Sequence, residues 1–131
     1  MKANPIPWCE IYVHDIERAK RFYETVFQFK LQKLDSPVKE MVMWTFPMEM
    51  NKVGAGGALV QMKGLKPSGV STIPYFYCDD VAVEESRVVK AGGQIHKTKF
   101  SIGPYGHIAL VIDTEGNMIG LHMPGQDMKM A

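Results

Sequence analysis

Glu10 is the side chain near the start of the chain whose surroundings favour chemistry. It lies in the segment Trp8–Val13, where the residues alternate between two environments, and this period of two predicts a strand. Glu10 shares one predicted face with Trp8 and Tyr12. A carboxylate among aromatic side chains is costly if it is dry and unpaired, so we expect it to be hydrated, paired or protonated. A wet cleft satisfies this condition, and there Glu10 is a candidate general base.

Two other features resemble reactive motifs but are typical of ordinary structure. Cys9 and Cys78 lack the spacing of a metal or redox motif, and they occupy similar places in two predicted strands. We therefore expect them to be small buried apolar residues. The run Gly54-Ala55-Gly56-Gly57 is followed neither by Gly-Lys-Ser/Thr nor by a helix start. It predicts a flexible loop entering a strand rather than a phosphate site.

The composition excludes several classes of partner. The chain has 131 residues, of which 15 are basic and 14 are acidic. This balance argues against nucleic acid and anionic membranes as partners. No apolar run reaches the ~20 residues that a membrane-spanning helix needs, and residues 1–5 lack a signal-peptide core. We therefore expect a cytoplasmic location.

The elements that would position Glu10 occur twice. Apolar periodicity predicts helices at Ile16–Phe27 and Val81–Ala91, each preceded by an aspartate, Asp15 or Asp80, that can cap it. The predicted strands are Trp8–Val13, Phe29–Leu34, Met41–Phe46, Ala58–Met62, Ile73–Cys78, Gln94–Phe100, His107–Asp113 and Met118–Met123. The order is βαβββ, a linker, and βαβββ again, which predicts two related modules.

The repeat also predicts the domain organisation. We expect a first module at residues 1–64, a linker at 65–72, a second module at 73–125 and a tail at 126–131, together forming one domain. Each module would have one helix on one face of its sheet. The other face then needs a partner or must line a cavity.

Two motifs around this repeat resemble the vicinal oxygen chelate superfamily, which contains glyoxalases, extradiol dioxygenases and bleomycin-resistance-type proteins. Asp15 to Tyr23 with Val26-Phe27 resembles the family's D-x-x-x-A-x-x-F-Y-x-x-V-F-G, and Asp113 to Leu121 resembles D-P-E-G-N-x-I-x-L. Within the superfamily the chain is most similar to an uncharacterised glyoxalase-like group. The resemblance implies an α+β fold in which two paired βαβββ modules form a curved eight-stranded mixed sheet around a cleft.

The resemblance also implies a divalent metal in that cleft, held by His, Glu or Gln from the first and last strands of each module. The corresponding positions here are Trp8, Gln61, Ile73 and Gly120. Trp8 and Ile73 offer no ligand atom, and Gly120 has no side chain. Gln61 alone offers a weak amide oxygen. We therefore expect no cofactor at the usual site.

Another set of residues close to these positions keeps a metal as an alternative. Glu10 and His122 lie two residues beyond Trp8 and Gly120, and hence on the same predicted inner faces. With Gln61 they would form a poor ligand set for a divalent metal. Without a metal, Glu10 and His122 are the candidate catalytic residues, the imidazole being an acid–base or orienting partner for the carboxylate.

Aromatic walls with few polar groups are typical of a small-molecule pocket. The candidate ligand-binding residues are Trp8, Glu10, Tyr12, Trp44, Gln61, Ile73, Tyr75 and His122, with Tyr77 beside them. The alternative is that these aromatic residues simply pack between the modules or in a dimer interface.

The sequence thus predicts a glyoxalase-like protein that binds a small, partly apolar or aromatic molecule in the cleft between its modules, without the usual metal. The alternatives are a metal-dependent lyase or isomerase of the glyoxalase type, and a bleomycin-resistance-type protein that sequesters its ligand without catalysis. Whether the chain is an enzyme stays open. The resemblance also implies a homodimer, in which modules pair within one chain or between two.

Overall fold

The computed structural model describes residues 6, 8–36, 39–65, 67 and 72–125. The predicted tail at 126–131 and part of the predicted linker, residues 66 and 68–71, lie outside the described residues. The elements are β1 (Trp8–Tyr12), α1 (Ile16–Phe27), β2 (Gln32–Leu34), β3 (Met41–Thr45), β4 (Gly56–Met62), β5 (Tyr75–Tyr77), α2 (Val81–Val88), β6 (Gln94–Ser101), β7 (Gly106–Ile112) and β8 (Met118–Pro124).

The eight strands form two mixed four-stranded sheets, which confirms the α+β class and the paired βαβββ modules. The strand orders are β1-β4-β3-β2 in the first sheet and β5-β8-β7-β6 in the second. In each sheet the first strand runs parallel to the last, and the other neighbours are antiparallel. The same connectivity in both halves confirms the repeat.

Both helices begin at the predicted aspartates. The Asp15 carboxylate accepts a hydrogen bond from the backbone N–H of Arg18 at 3.1 Å, and Asp80 accepts one from Ala82 at 3.0 Å. These bonds satisfy N–H groups that the first helical turn leaves without partners. Helix α1 has the predicted bounds, whereas α2 ends at Val88 because the following residues form tight turns that close at a glycine with φ +100°, Gly92.

Side chains from the helix-covered faces of both sheets share one hydrophobic core. Its fully buried members include Val13, Phe22, Tyr23 and Leu59 from the first module and Val81, Val88, Val111 and Leu121 from the second. We call these the helix faces of the two sheets, and the opposite faces the open faces. The modules are therefore joined through their helix faces.

One buried hydrogen bond links the modules inside this core. The hydroxyl group of Tyr23 on α1 donates to Oδ2 of Asp113, which follows β7, at 2.8 Å. Asp113 also accepts hydrogen bonds from the backbone N–H groups of Glu115 and Asn117, both at 2.8 Å. Burial raises the pKa values of both Tyr23 and Asp113. The aspartate of the second sequence motif is thus a structural bridge between modules.

Replacing Tyr23 with phenylalanine should lower the free energy of unfolding by ~1–2 kcal/mol, because a buried carboxylate loses a partner. Urea denaturation measures this change. Tyr77→Phe is the matched control, since the Tyr77 hydroxyl donates to Asp79 at 2.8 Å on an exposed part of the surface. The control should change stability by less than about 0.5 kcal/mol. Equal losses in the two variants would contradict a special role for the buried bond.

Candidate functional site

Glu10 is held between two aromatic side chains on the open face of β1. The indole N–H of Trp8 donates to Oε2 of Glu10 at 3.0 Å, and the hydroxyl group of Tyr12 donates to Oε1 at 2.9 Å. The three residues alternate along the strand, so their side chains lie on one face. Trp8 and Glu10 are exposed and Tyr12 is half-buried. The carboxylate is therefore both paired and accessible to water, as the sequence predicts.

The two hydrogen bonds hold the Glu10 carboxylate in place but leave part of its hydrogen-bonding capacity unused. Each carboxylate oxygen accepts one bond from the protein, and an ionised carboxylate has about four acceptor positions. The hydrogen bond to Glu10 raises the pKa of Tyr12, so the phenol remains a donor at neutral pH. A ligand can therefore donate to Glu10 while its apolar part lies against the Trp8 ring.

A second group of candidate residues lies on the open face of the other sheet. Tyr75 is opposite Gly120 and Tyr77 is opposite His122 in the pairing of β5 with β8. A Cβ atom at Gly120 would collide with the ring of Tyr75, so the ring covers the glycine. The Tyr75 and His122 rings meet edge to face, with centroids 6.5 Å apart.

The side chain of His122 has a defined hydrogen bond. Its Nε2 lies 2.9 Å from the backbone carbonyl oxygen of Tyr105. A carbonyl oxygen only accepts, so Nε2 carries the proton, and in the neutral ring Nδ1 is free of one. Among the residues that the structure describes, no hydrogen bond, ion pair or ring contact joins His122 to Glu10. Within one chain the two candidate catalytic residues therefore belong to separate groups.

Two predicted inner-face residues lie on the helix face instead, and for these the predicted orientation is wrong. Val60 is the β4 residue opposite Tyr12, so its neighbour Gln61 points to the other side of the sheet. The amide oxygen of Gln61 accepts a hydrogen bond from the backbone N–H of Ile16 at 2.8 Å, at the start of α1. An offset of one residue along a strand exchanges the two faces.

Trp44 has the same orientation as Gln61. It lies opposite Leu59, a core residue, and packs against the main core. The ammonium group of Lys20 on α1 lies 4.3 Å from the centre of the Trp44 ring. This cation–π contact joins β3 to the helix. Trp44 therefore supports α1 and does not line the open face with Trp8.

A cavity of about 270 Å³ lies where the modules meet, and we call it the seam cavity. Glu10 and Tyr12 of β1 contribute to its wall, as do Asn117 and Met118 of the second module. The side-chain amide of Asn117 donates to the backbone carbonyl oxygen of Tyr12 at 2.9 Å, which holds the two walls together. We call Trp8, Glu10 and Tyr12 the Glu10 group, and the first strand brings two of its members, Glu10 and Tyr12, to the wall of this inter-module cavity.

The implied metal does not fit the residues at its usual positions. Trp8 and Ile73 present no ligand atom, Gly120 is covered by an aromatic ring, and Gln61 is turned toward α1. Across the described ranges no three His, Cys, Asp or Glu side chains are grouped as metal ligands. The alternative set of Glu10, Gln61 and His122 is divided between two faces of one sheet and a second sheet.

The cysteines are not activated. Cys78 is buried, and burial raises its pKa to about 12. Cys9 is half-buried, and its pKa is also raised, first by burial and then by the charge of Glu10. A thiol whose pKa is raised holds its proton and is a poor nucleophile. Cys78 is buried as predicted, whereas Cys9 is only half-buried.

Sequence reasoning missed a second cavity, of about 410 Å³, which shares Cys9, Ile11 and Pro74 with the seam cavity and extends from them to the start of β4. Its lining includes the half-buried rings of Phe27, Phe29, Phe46 and Phe76. We call it the phenylalanine cavity. The pair Phe27-x-Phe29 at the end of α1 is a signal for it, because a helix that ends between two aromatic residues can bring them together. Phe76 gives no local signal, since only the fold brings it to this group.

Comparisons with known proteins agree with this architecture. Residues 6–47 match the family described as bleomycin resistance protein-like N-terminal. A point variant of glyoxalase I from Zea mays is similar in structure, with a TM-score of 0.72, 23% identity and coverage of 90% of this chain and 45% of that chain. This chain therefore spans about half the length of the maize protein.

Other solved structures match over nearly their whole length. TnmS3, an antibiotic binding protein from Streptomyces sp. CB03234, has a TM-score of 0.66 and 26% identity, with coverage of 95% of this chain and 99% of that one. A glyoxalase/bleomycin resistance protein/dioxygenase family enzyme from Burkholderia phytofirmans PsJN has a TM-score of 0.64 and 18% identity, with coverage of 88% and 94%. No curated protein matches this chain in sequence. No helix among the described residues is both long enough and apolar enough to span a membrane.

Proposed function

We propose that this chain, which resembles the vicinal oxygen chelate superfamily in sequence and fold, binds a small, partly apolar or aromatic molecule beside Glu10, without the superfamily's usual metal. The observation that carries the proposal is the carboxylate of Glu10, which is hydrogen-bonded by Trp8 and Tyr12 and lines the seam cavity together with Tyr12. A hydrogen-bond donor of the ligand binds the Glu10 carboxylate. The aromatic side chains provide apolar contact for the rest of the molecule.

Two of the comparisons support binding, although the similar structures also include glyoxalase I. The family match is to bleomycin-resistance-type proteins, and one full-length structural relative is an antibiotic binding protein. A lyase or isomerase of the glyoxalase type needs a divalent metal, and the positions that would hold it lack suitable ligands. Sequestration of the ligand therefore explains the site better than a metal-assisted reaction does.

We further propose that the site is completed in a homodimer. The helix faces of the two sheets are already used inside one chain, whereas Tyr75 and Tyr77 on the open face of the second sheet remain exposed. Glu10 and His122 belong to separate groups within one chain. A second copy that covers the open faces would bury these aromatic side chains and enclose the ligand. Light scattering of the purified protein determines the oligomeric state.

Tryptophan fluorescence tests the proposed site, because Trp8 and Trp44 are the only tryptophans in the sequence. A thermal-shift screen of aromatic amines and antibiotics first selects a ligand, which at 100 times its Kd should add ~2.7 kcal/mol to stability. The ligand should then change the emission of Trp44→Phe, which retains Trp8. It should leave the emission of Trp8→Phe nearly constant, since Trp44 lies on the helix face.

Glu10→Gln keeps the shape of the side chain and removes its charge. It should weaken ligand binding about tenfold to a hundredfold, because hydrogen bonds to charged groups contribute about 1.5–3 kcal/mol. Metal analysis of the natively purified protein tests whether the site is metal-independent. A stoichiometric divalent metal that is lost in both Glu10→Ala and His122→Ala would overturn the metal-independent proposal.

A further inference from the structure

We propose that the phenylalanine cavity is a separate binding site for a small, planar, neutral aromatic molecule. Its phenylalanines pack against the main core on the helix-face side, and Tyr75 and Tyr77 of β5 also contribute to its lining. The Glu10 group, by contrast, lies on the open face. The cavity volume of about 410 Å³ falls within the range of about 300–1,000 Å³ that is usual for small-molecule pockets.

The rings of the cavity come from separate elements and meet through the fold. Phe27 ends α1, and the next residue, Gln28, has a left-handed conformation with φ 58° that reverses the chain. Phe29 therefore stacks on Phe27, with centroids 5.5 Å apart and ring planes at 17°. Phe76 from the middle of β5 stacks on the same ring at 4.7 Å.

Phe46, which follows β3, completes this aromatic wall. Its ring packs edge to face against Phe29 at 5.8 Å and against Phe76 at 5.3 Å. These rings are in direct contact with one another, and their uncovered faces and edges border the cavity. A planar aromatic ligand can therefore stack on one ring and meet the edge of another.

The burial of these rings distinguishes the cavity from an ordinary core. Tyr23 contacts the same cluster and is fully buried, whereas all four phenylalanines remain only half-buried. Burial of apolar surface stabilises a protein by roughly 25 cal/mol per Å² removed from water, and the exposed parts of these rings do not make this contribution in the free protein. A ligand that covers the exposed parts of the rings gains this contribution on binding.

The rim of the cavity is open enough for a small molecule to enter. Val53 to Gly57 form one side, and Gly54 in this loop has a φ of +111°. The space around Gly54 is open, since a Cβ atom there would meet no atom within 4 Å. Glu84 of α2 is the one carboxylate among the lining residues, so a polar N–H group on the edge of the ligand would bind it.

N-Phenyl-1-naphthylamine is a suitable probe, because each of its two aromatic ring systems is planar, the molecule is neutral and carries one N–H group, and its fluorescence rises in apolar surroundings. Titration of the whole protein should give saturable binding with one probe per chain. Phe29→Ser should weaken the apparent Kd about tenfold or more. Phe100→Ser is the matched control, since Phe100 is also half-buried but lies on β6, outside the cavity.

A second variant keeps the test valid if Phe29→Ser folds poorly. Ala55→Trp places a large ring at the exposed rim without removing a core side chain, and it should exclude the probe. Glu10→Gln should leave probe binding unchanged, which separates this site from the proposed function. The proposal is overturned if wild-type protein shows no saturable binding, or if Phe29→Ser and Ala55→Trp bind as wild type does. It is equally overturned if Phe100→Ser loses as much affinity as Phe29→Ser.

Discussion

Replacing Glu115 with alanine should lower the free energy of unfolding by ~3 kcal/mol, since loss of one partner of a buried ion pair typically costs about 3–5 kcal/mol. The side chain of Glu115 is fully buried, in the turn between β7 and β8. Its carboxylate accepts two hydrogen bonds from Arg18, at 2.7 and 2.9 Å. The guanidinium group of Arg18 is partly exposed, so the expected loss lies at the lower end of that range.

The same carboxylate also holds the start of α1. The backbone N–H groups of His14 and Asp15 donate to its Oε1 at 3.0 and 2.8 Å. The hydroxyl group of Thr114 donates to Oε2 at 2.8 Å. Alanine at position 115 would leave these part-buried donors without their partner, which adds to the cost. Glu115 therefore connects the second module to the beginning of the first helix.

These contacts also make the contribution of Glu115 depend on pH. Burial opposes ionisation, but the hydrogen bonds from Arg18, Thr114 and Asp15 outweigh it and lower the pKa of Glu115 from 4.5 to about 2. A carboxyl group whose folded pKa is depressed stabilises the fold fully above its unfolded pKa. The stabilisation by Glu115 should thus be complete above about pH 5 and should decline as the pH falls toward about 2.

Urea denaturation from pH 7 to pH 3 measures both effects. Asp113 has the opposite sign, because burial raises its pKa and its protonation favours the fold. The difference between wild type and Glu115→Gln isolates the carboxylate of Glu115, and this difference should shrink as the pH falls. Glu49→Ala, at an exposed loop position, is the control and should change stability by less than about 0.5 kcal/mol. A difference that stays constant with pH would show that Glu115 is not held as an ion.

Gly57→Ala should destabilise the protein by ~2–3 kcal/mol and disturb the Glu10 group. Gly57 lies opposite Cys9 in the parallel pairing of β4 with β1. A Cβ atom at this position would collide with the backbone carbonyl oxygen of Cys9 and lie 3.5 Å from the ring of Phe46. The backbone cannot yield as a side chain can, so β1 must move away from β4. Trp8, Glu10 and Tyr12 would move with it.

The neighbouring glycine provides a matched control. A Cβ atom at Gly56 would meet mainly the side chain of Met48, which is 53% exposed and free to rotate away. Gly56→Ala should therefore change stability by less than about 1 kcal/mol. Thermal unfolding compares the two variants, and the emission of Trp8 in a Trp44→Phe background reports on the position of β1. If Gly56→Ala proves the more damaging of the two, the backbone collision at Gly57 is not the cause.

Much of the fold follows from local patterns. Apolar residues at helical spacing and a capping aspartate are sufficient to define α1, because both features act within a few residues of the helix itself. The alternation around Glu10 defines β1 and places Trp8 and Tyr12 on its face, because side chains in a strand alternate strictly. The repeated order of elements defines the two modules. Each of these inferences depends only on neighbours along the chain.

Contacts between distant parts of the chain could be identified only from the tertiary structure. The orientation of Gln61 depends on the register of β4 against β1, and a shift of one residue changes its face. The phenylalanine cavity depends on Phe76, which no local pattern relates to Phe27. The motif from Asp113 to Leu121 resembles a family pattern, and only the fold shows that Glu115 within it is the partner of Arg18. The sequence thus determined which face of β1 carries Glu10, since that is a local property, and the tertiary structure decided which side chains meet it.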